Sequence, residues 1–284
     1  MTPAGTVRSL WRYPVKSMLG EELDSSEIGG RGLTGDRAWA LVADDGKVAS
    51  AKNPRKWAKL FDCRAAFVES PRSPDALPAV RITLPDGRVV RTDDVEANRV
   101  LSDALGREAT LTAVAPDAPV LEELWLDGSP DGRAVTDERF AKGSPAGTFF
   151  DFGVVHLVTT ATLARLSELA PESRFDPRRF RPNLLVLTEG ESGFVENAWI
   201  GRTIAVGDEV RLEVTDPCVR CVMTTLAQED LPADAAVLRT VARHNRVVGG
   251  EHRGPDGVYA ASVGVYARVA AGGVVRRGDR IRVV

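Results

Sequence analysis

The amino-acid sequence predicts a mixed, β-dominated (α+β) fold, and three observations support this prediction. Short runs of apolar and β-branched residues follow one another at strand length, separated by Gly, Pro and Asp turn signals. Only a few segments show the spacing of apolar residues that is typical of helices. A Gly-Asp turn followed by alternating apolar and charged residues occurs at residues 206–212 and again at 277–283. This repeat predicts two strands that enter one barrel-like sheet.

The first part of the chain, as far as Val114, is dominated by predicted strands. Strands of this length and spacing favour a barrel or a sandwich. One helix is predicted at Asp94–Leu105, with acidic residues in its first turn and Gly106 as its C-terminal stop. The predicted strands are Thr6–Tyr13, Ala38–Ala43, Ala65–Val68, Val80–Leu84 and Arg88–Arg91.

The segment Ala115–Arg133 contains three prolines, two glycines and several acidic residues. This composition is typical of a surface connection, so we expect one domain at residues 1–120 and another at 121–284. The second domain is predicted to mix helices with strands. Helical spacing is found at Thr160–Leu169 and Ala233–His244, and the apolar run Asn183–Leu187 suits a buried strand.

The composition is that of a soluble globular protein, because 43% of the 284 residues are hydrophobic and 27% are charged. The formal net charge of -3 gives no long-range attraction to nucleic acid or to anionic lipid. No apolar run reaches the roughly 20 residues of a membrane span, and the first residues lack the apolar run of a secretory signal. These features predict a cytoplasmic protein that binds neither nucleic acid nor membranes.

The clearest chemical motif places Cys218 and Cys221 two residues apart, after a strand that is predicted to end at Val214. Such a pair suits a redox dithiol or half of a metal site. A thioredoxin-like dithiol would need a helix after the first cysteine, whereas residues 222–226 are predicted to be extended or a loop. Three hypotheses remain: one thiol is the single soft ligand of a metal held mainly by another group, one thiol is a nucleophile, or both are inert. Arg220 would favour the thiolate form.

The chain has three cysteines and three histidines. Three cysteines are too few for a four-cysteine zinc site or iron-sulfur cluster. A mixed zinc site would need His156, His244 or His252 as further ligands. His156 lies in an apolar run and is expected to be a hydrogen-bonded core residue. Electrons for any redox chemistry are therefore expected to come from another protein.

Two further groups of polar residues lie next to predicted strands. Lys16, Ser17 and Arg37 would clamp a phosphate if they meet, since they offer a point charge, a hydroxyl and a bidentate fork. Arg181 and Asn183 precede a predicted buried strand and could hydrogen-bond a polar heterocycle. The alternative for both groups is a set of surface residues at strand ends and turns.

Five motifs, taken in order, resemble the MOSC family, and within it the group that includes the amidoxime-reducing component. The resemblance covers nearly the whole chain. It implies an N-terminal MOSC β-barrel domain followed by a barrel-like MOSC domain with a few helices. The motifs are YPVKS at 13–17, GDR at 35–37, FRPN at 180–183, CVRC at 218–221 and GVYARV at 264–269.

The resemblance implies a molybdenum pyranopterin (Mo-molybdopterin) whose metal is bound by Cys221, with Cys218 as a spare. Cys221 and Asp151 are then the expected catalytic residues. The family often has a serine where this chain has Val219, so one potential hydrogen bond to the cofactor falls to the backbone. The expected cofactor-binding residues are Lys16, Ser17 and Arg37 at the phosphate, Arg181 and Asn183 at the pterin, and Thr159, Arg220 and Tyr266 along the pocket.

The function implied by the resemblance is an oxidoreductase that reduces N-hydroxylated or N-oxide small molecules. The expected electron donor is a separate protein, either a ferredoxin, a flavodoxin or a cytochrome b5-like protein with its reductase. The alternative is a sulfur carrier or transferase, or a protein that only binds the molybdenum cofactor. It stands because the MOSC name also covers the C-terminal part of molybdenum-cofactor sulfurases.

Overall fold

The computed structural model of the chain describes residues 2–74, 76–125, 134–140, 144–145, 147–252 and 257–284. Strands account for 39% of the described residues and helices for 19%. The predicted mixed, β-dominated fold is therefore confirmed. Among the described residues, no helix has both the length and the apolar character that crossing a membrane requires.

The elements are numbered in chain order. The helices are α1 (Pro54–Trp57), α2 (Ala97–Leu105), α3 (Thr160–Leu169), α4 (Pro177–Phe180) and α5 (Ala235–His244), with 3-10 turns at Ala58–Asp62, Val195–Trp199 and Val222–Thr225. The strands are β1 (Thr2–Arg12), β2 (Glu21–Leu23), β3 (Ser25–Gly29), β4 (Gly32–Leu33), β5 (Ala40–Ala43), β6 (Arg64–Phe67), β7 (Val80–Thr83), β8 (Val89–Arg91), β9 (Ala109–Thr112), β10 (Val120–Trp125), β11 (Ala134–Arg139), β12 (Val155–Thr159), β13 (Leu184–Leu187), β14 (Thr203–Val206), β15 (Val210–Val219), β16 (Val247–Val248), β17 (Val258–Tyr259), β18 (Ser262–Ala271), β19 (Gly273–Arg276) and β20 (Arg280–Val283).

The first compact unit contains the residues up to Trp11, Glu22–Leu33 and Gly153–Val284. Its centre is a closed barrel in the strand order β13, β12, β18, β15, β14, β20 and β1, which β1 closes by pairing with β13. Strands β12 and β13 are parallel, and the chain between them includes α3 and α4. Because a parallel pair needs a crossover connection, these helices lie where the topology requires one.

The two predicted Gly-Asp strands are part of this barrel. The turn at Gly207 precedes β15, and the turn at Gly278 precedes β20. Both glycines have a positive φ, which L-residues with a side chain rarely adopt. Both strands pair with β14 or its neighbours in one sheet, so the prediction of repeated strands in one barrel-like sheet is confirmed.

The second compact unit contains residues Arg12–Glu21 and Thr34–Phe152. It consists of the small sheets β6-β7-β8, β5-β9 and β10-β11, together with α1 and α2. Helix α2 ends as predicted, with Gly106 in the left-handed conformation at its C-terminus. The core of this unit includes Leu60, Ile82 and Leu101, all fully buried.

The structure corrects three local predictions: the connection at 115–133, the end of β15 and the segment after Cys221. The predicted surface connection Ala115–Arg133 contains strand β10, which pairs with β11, and its residues 126–133 lie outside the described residues. Strand β15 does not end at Val214 but continues to Val219, because its ladder with β18 extends to Ser262. The division of the chain near residue 120 stays a prediction.

The third correction concerns the residues after Cys221. They form a 3-10 turn at Val222–Thr225, where an extended or loop segment was predicted. Threonine side chains account for the difference, because Thr224 Oγ1 donates to Cys221 O at 3.0 Å and Thr225 Oγ1 donates to Val222 O at 2.7 Å. Such local hydrogen bonds satisfy carbonyl groups that in a strand would accept from the N–H groups of a neighbouring strand.

Candidate functional site

Lys16 lies at the centre of a charged cluster in the second compact unit. The side chain is 5% exposed, and its ammonium group donates to Phe149 O at 2.8 Å and to the carboxylate of Asp151. Lys52 Nζ lies 3.8 Å from the other oxygen of Asp151. The ammonium group of Lys16 also lies 4.4 Å from the centre of the Phe140 ring. Lys16 and Asp151, which were predicted separately as site residues, are thus in direct contact.

The pKa values in this cluster follow from burial and from neighbouring charges. Burial lowers the pKa of Lys16 below its usual value, and the charge of Asp151 opposes this shift. Burial alone would raise the pKa of Asp151, but the charges of Lys16, Lys52 and Arg37 outweigh it and lower that pKa. Asp151 is therefore charged at neutral pH. Lys52 also belongs to the cluster, and no sequence motif predicted it as a site residue.

Arg37 and Ser17 both have left-handed backbone conformations, with φ of 48° and 63°. The Arg37 guanidinium pairs with Asp36 and lies 4.4 Å from the centre of the Tyr13 ring. The hydroxyl of Ser17 accepts a hydrogen bond from Ala51 N at 3.2 Å. A positive φ in a non-glycine residue is costly and is kept where the surroundings require it, often at functional sites.

Arg181 shares this backbone feature in the first compact unit. With a φ of 55°, it ends α4 in the left-handed conformation and is 7% exposed. Among the described non-glycine residues, only Glu229 and Ala261 join Ser17, Arg37 and Arg181 in having a positive φ. Three of the five strained positions therefore coincide with residues that were predicted to bind the cofactor. This coincidence supports the prediction.

The cysteine pair lies at the end of β15. Cys218 is inside the ladder with β18 and is completely buried, whereas Cys221 follows the strand and is partly exposed. Arg220 Nη1 donates to Cys218 Sγ at 2.6 Å, and Nη2 donates to Phe180 O at 2.9 Å. Burial would lower the pKa of Arg220, but Cys218, Tyr266 and Cys221 raise it. Of the two thiols, Cys221 is thus the one that can reach a ligand from outside.

Two predicted cofactor residues have side chains that are engaged within the barrel. Asn183 Oδ1 accepts from His156 N at 3.0 Å, and Nδ2 donates to Trp11 O at 3.2 Å. Thr159 is fully buried and caps α3 by accepting from Thr162 N at 3.1 Å. These contacts give both side chains a structural role, and their contact with a cofactor stays a prediction.

His156 and Tyr266 lie opposite each other on β12 and β18. Their ring centres are 5.5 Å apart. His156 is 4% exposed, and its ring nitrogens lie 3.4 Å from Arg181 O and 3.1 Å from Val263 O. The prediction of a hydrogen-bonded core histidine is confirmed. Tyr266 is partly exposed on the same side of the sheet.

The side chains around Cys221 fit a metal whose other ligands come from a cofactor rather than from the protein. Within the described ranges, no group of three or more His, Cys, Asp or Glu side chains could hold a metal ion. Cys221 would then be a single protein ligand. The neighbouring Arg220 Nε is buried and has no hydrogen-bond partner among the described residues, so a polar group beside Cys221 would satisfy it.

Comparison with known proteins identifies two family matches. The family model described as "MOSC domain" matches residues 147–282. The model described as "MOSC N-terminal beta barrel domain" matches residues 4–67. Together the two matches cover well over half of the chain.

The curated relatives include mitochondrial amidoxime reducing components. The chain is 26% identical over 241 residues to component 2 of Bos taurus, covering 78% of this chain and 66% of that protein. It is 25% identical over 236 residues to component 2 of Rattus norvegicus, covering 78% and 67%. For component 1 of Homo sapiens the identity is 25% over 232 residues, covering 78% and 66%. The chain thus spans about two thirds of the length of the curated relatives it matches.

Solved structures show only a distant likeness. The YUAD protein from Bacillus subtilis has 13% identity and a TM-score of 0.42, covering 98% of this chain and 94% of that chain. YiiM from Geobacillus stearothermophilus has 15% identity and a TM-score of 0.31, covering 60% and 75%. Both TM-scores lie below 0.5, so the conclusion rests on the family matches. The chain belongs to the MOSC family, with a MOSC N-terminal beta barrel domain followed by a MOSC domain.

Proposed function

We propose that this chain binds a molybdenum pyranopterin through Cys221 and reduces N-hydroxylated or N-oxide small molecules. The observation that carries the proposal is the partly exposed Cys221 beside a buried Arg220 whose Nε has no hydrogen-bond partner among the described residues. The printed names of the curated relatives, amidoxime reducing components, support the reductase class.

When bound, the cofactor would supply a metal that exchanges two electrons and accepts an oxygen atom. Cys221 Sγ would be the protein's ligand to that metal, in the thiolate form that metals require. Arg220 would favour the thiolate and would direct its unpaired Nε–H at a polar atom of the cofactor. Arg181, Asn183, Thr159 and Tyr266 are proposed to line the pocket around the pterin, the first two through direct contacts.

At the phosphate end, Lys16, Ser17 and Arg37 are the proposed ligands, and we add Lys52. Lys16 and Lys52 contribute point charges, while Arg37 contributes a fork that suits two phosphate oxygens. Asp151 is the proposed acid near the cofactor. It holds the ammonium group of Lys16 in place through its ion pair, and a bound phosphate would compete with it for the same hydrogens.

The net reaction takes a hydroxylated nitrogen, two electrons and two protons to the reduced nitrogen and one water molecule. The electrons would come from a separate protein, as the family resemblance implies. A ferredoxin, a flavodoxin or a cytochrome b5-like protein with its reductase would serve. The small-molecule substrate would provide the oxygen atom that is lost as water.

The test is metal and pterin content of protein purified from a host that makes the cofactor. We expect near-stoichiometric molybdenum and pterin in the wild type, none in Cys221→Ala and most of it in Cys218→Ala. Loaded wild type should then reduce N-hydroxylated compounds with a chemical reductant such as a reduced viologen.

Two outcomes would contradict the proposal. Equal loss of molybdenum in Cys218→Ala and Cys221→Ala would indicate a dithiol or zinc-like site. A wild type without molybdenum or pterin would favour the alternative, a sulfur carrier or transferase. In that case Cys221 would carry a persulfide, and mass spectrometry of the protein incubated with a sulfur donor would detect an added sulfur atom on Cys221.

A further inference from the structure

Arg179 is a fully buried arginine whose charged group is bonded to backbone carbonyls. It lies in α4 with no exposed surface. Nε donates to Arg174 O at 2.9 Å, and Nη2 donates to Pro232 O at 2.7 Å. Nη1 donates to Thr224 O and to Leu226 O, each at 3.2 Å. Within the described chain, none of the hydrogen bonds of this guanidinium goes to a carboxylate.

Two of these acceptors, Thr224 O and Leu226 O, lie in the turn that follows Cys221 or directly after it. Thr224 in turn donates its N–H to Cys221 O at 3.2 Å and its hydroxyl to the same oxygen at 3.0 Å. A continuous series of hydrogen bonds therefore runs from Arg179 through Thr224 to the backbone of Cys221. Each link is within hydrogen-bond distance and at least partly buried, so the turn has little freedom to move independently of α4.

The other side of Cys221 is tied to the same helix. Arg220, directly before Cys221, donates from Nη2 to Phe180 O at 2.9 Å, and Phe180 is the residue after Arg179. The backbone of Cys221 is thus connected to α4 on both sides, through residue 220 and through residue 224. Arg178, the other basic residue of α4, instead pairs with Asp176, Glu229 and Asp230.

We infer that Arg179 is a positioning residue for Cys221, which holds the 3-10 turn so that Cys221 Sγ keeps one orientation. The link to a metal rests on the proposed function, whereas the link to the turn does not. A guanidinium suits this task because it presents donors in a fixed plane to several acceptors. Removing it would leave buried carbonyl groups without partners, which weakens the turn selectively.

The first experiment measures amide hydrogen exchange in cofactor-free protein. In Arg179→Met we expect the amides of residues 222–226 to exchange about tenfold faster, the change that corresponds to 1.4 kcal/mol of local opening free energy. Arg179→Lys keeps a charge and part of the donors and should recover part of the protection. Arg174→Met is the matched control, because the Arg174 side chain is exposed and pairs with Asp230. Arg174→Met should leave the exchange of the amides of residues 222–226 unchanged. In every variant, the amides of β12 and β13 should exchange at the wild-type rate.

The second experiment follows the loss of molybdenum from loaded protein over time. We expect Arg179→Met to lose molybdenum about tenfold faster than the wild type. Arg179→Lys should lose it at a rate between those of Arg179→Met and the wild type, and Arg174→Met should lose it at the wild-type rate. If Arg179→Met does not fold, Arg179→Lys alone serves as the test, with exchange intermediate between wild type and unprotected amides. Unchanged exchange at residues 222–226 in a folded Arg179 variant overturns the inference. A wild type that binds no molybdenum contradicts the proposed function only, since the exchange measurement is independent of the metal.

Discussion

At the scale of single residues, Lys16 shows how a buried lysine finds partners for its ammonium group. The ammonium group has lost most of its water, and Asp151 and Phe149 O replace it. Lys52 and Arg37 add positive charge around the same carboxylate. Lys52 and Arg37 each have a second carboxylate partner, Glu123 at 2.9 Å and Asp36 respectively, so the cluster is a network of ion pairs in which a bound anion would compete with carboxylates.

The lowered pKa of Asp151 predicts how stability depends on pH. Its charged form stabilises the folded protein above the pKa of an unfolded aspartate, about 3.9, and this contribution is lost as the pH falls toward the lower folded value. We expect the free energy of unfolding in urea to fall between about pH 5 and pH 2 in the wild type, and to fall less in Asp151→Asn. At pH 7 the variant should be the less stable protein, because Lys16 loses its counter-charge.

Asp103→Asn is the matched control for this measurement. Asp103 pairs with Arg99 on α2, and both side chains are more than half exposed. Exposed pairs contribute little, so this variant should follow the wild-type pH dependence. Equal pH dependence in the wild type and Asp151→Asn would show that the ion pair does not affect folding.

At the scale of elements, the first turn of α3 contacts the buried side chain of Glu196. Glu196 Oε2 accepts from Thr159 Oγ1 at 2.7 Å and from Thr162 Oγ1 at 2.5 Å, while Oε1 is buried without a partner among the described residues. Burial raises the pKa of Glu196, so the protonated form favours the folded state. Thr159, a predicted residue of the cofactor pocket, is thereby held between the start of α3 and Glu196.

Glu196→Gln should make stability less dependent on pH. The raised pKa means that the contribution of Glu196 is fully present below the pKa of an unfolded glutamate, about 4.3, and is lost as the pH rises through the folded value. We expect the unfolding free energy of Glu196→Gln, relative to the wild type, to increase from pH 4 to pH 7. Glu168→Gln, an exposed change on α3, should show a constant difference. A constant difference for Glu196→Gln would contradict the raised pKa.

At the scale of the whole molecule, the barrel depends on β1, since this strand pairs with β20 through residues 2–6 and with β13 through residues 6–10. Gly5 lies where the register of β1 against β20 shifts. Its φ is +138°, and a Cβ atom there would lie 2.2 Å from Leu187 O on β13. A side chain at this position would therefore push apart the two strands that close the barrel.

Gly5→Ala should lower the stability of the protein by the order of 1 to 3 kcal/mol that strained backbone positions cost. Thermal unfolding would detect this as a fall in Tm of about 2 to 4 °C per kcal/mol for a protein of this size class. Gly29→Ala is the control, because a Cβ atom there meets nothing within 4 Å. Similar Tm values for both variants would show that β1 accommodates a side chain at the closure.

By itself, the sequence determined the strand-dominated fold class, the helices α2, α3 and α5, and the strands that follow the two Gly-Asp turns. These features depend on local periodicity and on turn residues, which neighbouring residues along the chain decide. The order of motifs also identified the MOSC family, and the confirmed core position of His156 followed from its apolar neighbours.

Only the tertiary structure decided which side chains meet. It closed the barrel with β1, extended β15 to Val219, added Lys52 to the cluster around Asp151 and buried Arg179 beneath the turn after Cys221. It also showed that Thr159 donates a hydrogen bond to Glu196 and that Asn183 donates one to Trp11 O. These contacts join residues far apart in the chain, so they depend on how distant strands pair and pack, which local patterns do not specify.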